Sequence, residues 1–406
     1  MNEQSSGMTF GGAASMMPQE ELLETAVRSS RLVVGIPREL SPNESRIALI
    51  PAAVKLLSEH GQQVIIEERA GEKAHFSDHE YAEAGAEIVR DRERIFQADI
   101  ILKIAPPIRE EIELIEKKRS IISVLNLPTR TRDYFQQLMT KKVHAIAFEN
   151  IQDKTGALPL VRSMSEIIGN TTILIASEYL CHPQYGKGIM LGGFPGVAPV
   201  ELVIIGAGTV AETASRVATG MGALVKVFDN SMYKLRSLQA KIGPHLYTST
   251  MHPHLIAKAL ETADVVIAAK HSSTGVSPCL IPETMVARMK PGSVIIDVSI
   301  DQGGCFATSR PTNHQNPVFQ TYGVTHYCVP NIASRVPQTA STSFSNFFAP
   351  LLLEIADNGG VSNTLKINRG LSRGAYIFNG TLTSQPISKL HDLPFQHLDL
   401  LLAAFY

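Results

Sequence analysis

Residues 203–229 read VIIGAGTVAETASRVATGMGALVKVFD, and the fold is decided by how this stretch is parsed. Val203, Ile204 and Ile205 form a short apolar run, the mark of a strand buried on both faces in a parallel sheet. Gly206-Ala-Gly208-Thr-Val-Ala211 is a G-x-G-x-x-A turn. Gly206 lets the chain leave the strand tightly, Gly208 lets backbone approach a pyrophosphate, and Ala211 is small enough for a helix to pack on the sheet. Val210, Ala214, Val217 and Ala218 recur at helical spacing, and Gly220 and Gly222 close that segment. A second apolar strand, Leu224 to Phe228, ends at Asp229. A carboxylate about twenty residues after the turn can accept both ribose hydroxyls. The helix N-terminus adds unpaired N–H groups and partial positive charge. The stretch therefore predicts a dinucleotide site, with NAD preferred because Asp229 repels a 2′-phosphate. Lys234 and Arg236 lie close by in sequence and keep the phosphorylated dinucleotide open.

Composition bounds the rest. A chain of 406 residues points to two domains, three at most. A 44% hydrophobic and 18% charged composition supplies a sizeable core. A formal net charge of −1 offers no basic field for nucleic acid or an anionic membrane. Cys181, Cys279, Cys305 and Cys328 are far apart and form no C-x-x-C, which predicts reduced, mostly buried thiols and no metal site. No apolar run reaches the roughly 18–20 residues of a membrane span. MNEQSSGMTFGGAASMM lacks the basic start and apolar core of a signal peptide, so the expectation is a cytoplasmic protein.

The order of elements predicts two parallel-sheet Rossmann-like α/β domains separated by a cleft. Residues 1–31 read as an N-terminal extension, disordered to about residue 17 and then a short helix from Pro18 to Ser30. Apolar runs at 32–36, 63–67, 98–104, 120–125 and 143–148 alternate with helical patterns. They place a substrate domain over 32–160, completed by 338–406, a mainly helical and then tail-like piece too short to stand alone. Runs at 203–205, 224–228, 264–269, 293–298 and 325–329 place the dinucleotide domain over 161–337.

Ligands in open α/β sheets bind beyond the carboxyl ends of the strands. The polar residues at those ends are Arg46, Lys103 and Asn126 in the first domain, and Lys270, His271, Asp301, Gln302 and Asn331 in the second. Lys103 closes an almost wholly apolar strand, and a lysine there needs a partner or a purpose. Asp301 is either a reacting carboxylate or an Asx-type turn residue before Gly303-Gly304. His326, inside a strand, reads as a hydrogen-bonded core histidine.

Nine segments carry a resemblance: GIPRE…NESRIALIP (35–51), ADIILKIAPP (98–107), MSEIIGN (164–170), GIMLGGFPGVAP (188–199), VIIGAGTVAE (203–212), VKVFDNS (225–231), MKPGSVIIDVSIDQGG (289–304), TSRPT (308–312) and GVTHYCVPNI (323–332). The chain resembles the alanine dehydrogenase and transhydrogenase alpha-subunit family, and IDQGGC and HYCVPN lie nearer its alanine dehydrogenase branch. The resemblance implies NAD-dependent, reversible oxidative deamination of L-alanine to pyruvate and ammonia by a homo-oligomer, a hexamer. It implies that Arg46 and Lys103 hold the substrate carboxylate and carbonyl, and that Asp301 positions water or ammonia. Ser165, Val210, Ile300 and Asn331 join Gly206, Gly208 and Asp229 as cofactor contacts. One departure stands out. The family's catalytic histidine ends the strand that here reads SVLNLP, and this chain has Asn126, which cannot exchange a proton near pH 7. Asn126 can still hydrogen-bond the substrate, with proton transfer left to Lys103 or Asp301. The rival readings are a dehydrogenase of another amino or imino acid, and a non-catalytic NAD(H)-binding subunit docking on a membrane partner.

Overall fold

The computed structural model describes residues 31–270 and 279–404. The expected N-terminal tail and helix, and His271, lie outside the described residues. The first sheet comprises β1 (Val33–Ile36), β2 (Gln63–Glu67), β3 (Glu87–Val89), β4 (Ile100–Leu102), β5 (Ser120–Ser123) and β6 (His144–Ala147). The second comprises β7 (Glu201–Ile205), β8 (Leu224–Phe228), β9 (Tyr247–Ser249), β10 (Val265–Ala268), β11 (Val294–Asp297), β12 (Val318–Thr321) and β13 (Val324–Tyr327). The chain then returns to the first sheet as β14 (Ala375–Phe378) and β15 (Thr381–Leu382).

Strand order in the first sheet is β15-β14-β6-β5-β4-β1-β2-β3, and in the second β12-β13-β11-β10-β7-β8-β9. Pairing is parallel except where β12 meets β13 and where β14 meets β6 and β15. Both sheets thus reverse their winding beside their first strand, between β1 and β4 and between β7 and β10. Those reversals open the crevices in which this architecture holds ligands. β4, β5, β10 and β11 are buried along their whole length, as strands covered by helices on both faces must be.

Residues 375–382 correct the expectation of a tail-like end. Asn379 (φ 47°) and Gly380 (φ 78°) make a tight turn between β14 and β15. This hairpin covers β6, which would otherwise be an open edge. The thiols correct a second expectation: Cys305 and Cys328 are buried, whereas Cys181 and Cys279 are exposed. His326 is fully buried and satisfied, with its ring nitrogens on the Thr308 hydroxyl (2.8 Å) and the Val324 carbonyl (3.0 Å).

Two long helices, Pro159–Cys181 and Pro337–Asp357, run between the sheets and against each other. The first crosses the helix Thr209–Gly220 closely enough that a Cβ on Gly169 would lie 2.6 Å from the Val210 carbonyl oxygen. Only glycine fits that crossing. Helix Pro337–Asp357 docks the loop after β1. The Ser341 hydroxyl accepts the Ile47 N–H (2.9 Å) and the Ser345 hydroxyl accepts the Ile50 N–H (2.8 Å). Buried backbone without a ladder needs such acceptors.

Candidate active site

The loops at the carboxyl ends of β1 and β13 meet face to face. From the first lobe comes Arg46, whose side chain is 11% exposed. Its Nε and Nη2 donate to the two oxygens of Glu44 (2.8 and 2.6 Å), and Nη1 points to the Met164 sulfur at 3.7 Å. The Phe344 ring lies 5.2 Å from the guanidinium carbon and fixes its plane. Glu44 in turn accepts from Asn331 Nδ2 (2.9 Å) and the Ser334 hydroxyl (3.0 Å), both in the second lobe. Burial pushes the Glu44 carboxyl up, but the Arg46 fork outweighs it and holds the group below the usual glutamate range. Glu44 is therefore an ionised bridge between the lobes. The N-E-S-R spacing alone does not reveal that this acid meets the arginine fork and the second lobe at once.

Asp301 stands opposite. Asp297 builds the turn that displays it. Its oxygens accept the N–H groups of Ser299 (3.1 Å) and Cys305 (2.8 Å) and the Ser309 hydroxyl (2.7 Å), while Gly303 and Gly304 take positive φ. The Asp301 side chain reaches solvent at the cleft mouth, yet protein crowds it. Burial raises its carboxyl above the usual aspartate range, against the Asn331 N–H and the charge of Arg46, which pull it down. Arg46, Glu44, Met164, Asp301 and Asn331 thus share one locus.

Lys103 has the partners that a lysine at the end of an apolar strand needs. It is 3% exposed, and its ammonium points inward to Glu111 (2.7 Å) and Glu39 (3.6 Å). Arg92 closes the cluster by binding Glu111 and Glu67. Burial drives the Glu39 carboxyl up to about 7, although Lys103 and the Ile104 N–H pull the other way. In this structure the Lys103 ammonium neutralises buried carboxylates at the end of β4. Asn126 is exposed, and its left-handed backbone (φ 46°) is a conformation asparagine tolerates. Its main chain starts the 3₁₀ turn Leu127–Thr129. Asn331 repeats the arrangement, with φ 60° ahead of the turn Ile332–Arg335.

His314 also escaped the sequence reading. It lies within reach of the charges of Arg335, Glu44 and Arg46, and its Nε2 is buried with no hydrogen-bond partner among the described residues. Burial, helped by Arg335, lowers its pKa, so the ring is neutral near pH 7.

The second locus is the glycine-rich turn. Gly206 (φ 106°) must be glycine, because a Cβ would sit 2.5 Å from the Ala269 carbonyl oxygen. Nothing lies within 4 Å of where a Gly208 Cβ would be. No side chain caps helix Thr209–Gly220, whose first helical bond runs from the Glu212 N–H to the Gly208 carbonyl (2.9 Å). An open approach above uncapped amides fits a dinucleotide pyrophosphate. Val210 is partly buried on this first turn, and Ser165 is partly buried on the crossing helix. Ile300 is buried beside Asp301. Asp229 is 2% exposed. Its oxygens accept the N–H groups of Ala207 (2.9 Å) and Ser231 (2.8 Å), with Lys270 Nζ at 3.6 Å. It braces the turn and shows little of its carboxylate to a ribose.

The model of the alanine dehydrogenase/PNT N-terminal domain matches residues 35–168, and that of the C-terminal domain matches residues 172–385. The chain belongs to the alanine dehydrogenase/PNT family. Among relatives in this family, alanine dehydrogenase of Mycolicibacterium smegmatis is 38% identical over 365 residues, 90% of this chain and 98% of the relative. That of Bacillus subtilis is 36% identical, covering 90% and 96%. A solved L-alanine dehydrogenase superposes with a TM-score of 0.82 at 33% identity, over 88% of this chain and 99% of the other. A transhydrogenase from Sinorhizobium meliloti (TM-score 0.74, 22% identity) shares the fold. No helix among the described residues is long and apolar enough to cross a membrane.

Proposed function

We propose that the chain catalyses NAD-dependent, reversible oxidative deamination of L-alanine to pyruvate and ammonia, as a cytoplasmic homo-oligomer, a hexamer. The observation that carries this reading is the Arg46 fork, held by Glu44 beside Met164 and within electrostatic reach of Asp301 across the lobes. Family membership supports the same assignment.

Arg46 receives the substrate carboxylate on the guanidinium edge that Glu44 leaves open. Charge-assisted contacts of this kind fix orientation as well as add affinity. Gly206, Gly208 and the amides of the following turn hold the dinucleotide, which supplies the hydride acceptor when bound. Asp301, ionised, holds and polarises the water that adds to the imine carbon. The Glu44 contacts to Asn331 and Ser334 keep the lobes together, so the imine meets one held water rather than bulk solvent. Asn126 offers a hydrogen bond at the strand end and no exchangeable proton.

Replacing Glu44 by alanine releases the arginine fork and unties the lobes. KM for alanine is expected to rise roughly ten- to hundredfold. NADH affinity should change little, and steady-state kinetics beside NADH titration separates the two. Installing the missing acid–base group as Asn126→His is expected to raise kcat, because histidine tolerates the left-handed backbone and titrates near neutrality. A rate equal to or below that of the parent would show that the proton leaves by another route. The overall reading is tested by coupling NADH oxidation to ammonia with pyruvate, glyoxylate and larger keto acids. Pyruvate is expected to turn over fastest.

A further inference from the structure

One ring at the cleft takes no part in the chemistry above. Residues 312–317 form a loop closed on itself and pinned to the end of β13. The Thr312 N–H donates to the Cys328 carbonyl (3.0 Å) and the Thr312 hydroxyl to the Pro317 carbonyl (2.9 Å). The Asn313 side-chain oxygen accepts the N–H groups of Gln315 (3.0 Å) and Asn316 (2.7 Å). This loop holds His314 half-buried. The His314 ring donates to the Asn331 carbonyl. Its Nε2 is buried with no partner among the described residues, so the donor is Nδ1 and Nε2 keeps a lone pair.

Asn331 ties this ring to the rest of the site. Its N–H donates to the Asp301 carboxylate and its side-chain amide to Glu44 (2.9 Å). Asp301, Glu44 and His314 therefore meet on one residue. The charged groups that face the ring are Arg335, Glu44 and Arg46. A buried acceptor without a donor costs free energy until a ligand fills it. An amino acid does so, because with its carboxylate on Arg46 its ammonium lies only two bonds away. Alanine also needs a base. It arrives protonated at nitrogen near pH 7, and hydride cannot leave the α-carbon until that nitrogen has a free electron pair. Asn126 takes no proton, and Asp301 is engaged with the water that adds later.

We propose that His314 is the base that deprotonates the substrate ammonium, with Nε2 as the accepting atom. The proposal rests on the reaction given under Proposed function. One N–H bond of the ammonium breaks, its electron pair stays on nitrogen, and the proton makes the ring an imidazolium. That pair forms the C=N bond as hydride leaves the α-carbon. Ionised Glu44 and the Asn331 carbonyl steady the imidazolium, which returns its proton to solvent. His314→Asn tests the assignment, because the shorter amide can keep the bond to the Asn331 carbonyl while Nε2 is lost. At neutral pH kcat/KM for alanine is expected to fall by roughly 10²–10⁴-fold, with NADH affinity close to that of the parent. The deficit should shrink steadily as pH rises, since a growing share of alanine then arrives already as the free amine. His314→Gln puts a non-titrating amide near the place of Nε2 and is expected to give the same profile. It carries the test if His314→Asn fails to fold or to bind NADH. A parent-like rate in these variants at neutral pH overturns the proposal. So does a deficit of the same factor at every pH, which would mean that the ring only supports Asn331. Both results leave the reaction itself standing. A parent protein that binds NADH but turns over no alanine removes the reaction, and the proposal with it.

Discussion

A Lys103→Ala protein is expected to unfold at a much lower denaturant concentration, with a loss of roughly 3–5 kcal/mol. The ammonium sits between Glu111 and Glu39, both nearly inaccessible to water. Removing it leaves two acids in a low-dielectric interior with Arg92 as the remaining cation, because Arg92 reaches Glu111 and Glu67 but is not paired with Glu39. An uncompensated buried charge costs far more than a lost surface pair. A loss of this size is a large part of the roughly 5–15 kcal/mol that holds a domain folded. Denaturant titration followed by circular dichroism reads the effect. Adding Glu39→Gln should recover part of it, since the double variant removes one of the stranded acids. A Lys103→Ala protein that unfolds like the parent yet turns over no substrate would return Lys103 to the reaction.

Asp301→Asn is the second large effect, and it falls on rate. Asparagine keeps the shape of the turn and a carbonyl oxygen, but neither takes a proton from water nor carries negative charge. Loss of a positioned base costs typically 10²–10⁴-fold, so kcat is expected to drop by about that much, with NADH affinity close to the parent value. The pH profile carries an independent sign. Burial places the Asp301 carboxyl above the ordinary aspartate range. The active form is the ionised one, so activity is lost as pH falls through that raised value, higher than an ordinary aspartate would give. In Asp301→Asn the residual rate should lack this acid limb. An unchanged limb would assign it to another group, and an unchanged kcat would remove Asp301 from the mechanism.

Much of the fold could be read from local pattern because buried parallel strands are nearly pure apolar runs. IIL in β4, VVIA in β10 and VIID in β11 announce themselves. The edge strands do not. EIV in β3 and YTS in β9 are short and half-exposed, so they lack a run to recognise. The hairpin at 375–382 was legible in principle, since Asn-Gly between AYIF and TL is a strong turn signal. The surrounding short helices masked it. At the site, strand-end position marked Arg46 and Asp301 only as candidates, and the family resemblance gave them their roles. Lys103 was correctly marked as needing a partner, but the partners, Glu39 and Glu111, lie on different segments, and only the packed chain shows which way the ammonium turns. Phe344 packs on Arg46, and His314 feels the charges of Arg46 and Glu44, from separate parts of the chain that no spacing rule joins.

The return of β14 and β15 to the first sheet sets an order on biosynthesis. Strands β7 to β13 are contiguous, so the dinucleotide lobe can complete its sheet before the ribosome has added β14 and β15. The first lobe cannot. Although translated earlier, it keeps β6 as a bare edge, and lacks the serines that receive Ile47 and Ile50, until helix Pro337–Asp357 and then the hairpin emerge. The half made first is therefore the half finished last, and during that interval a nascent chain has most need of a chaperone.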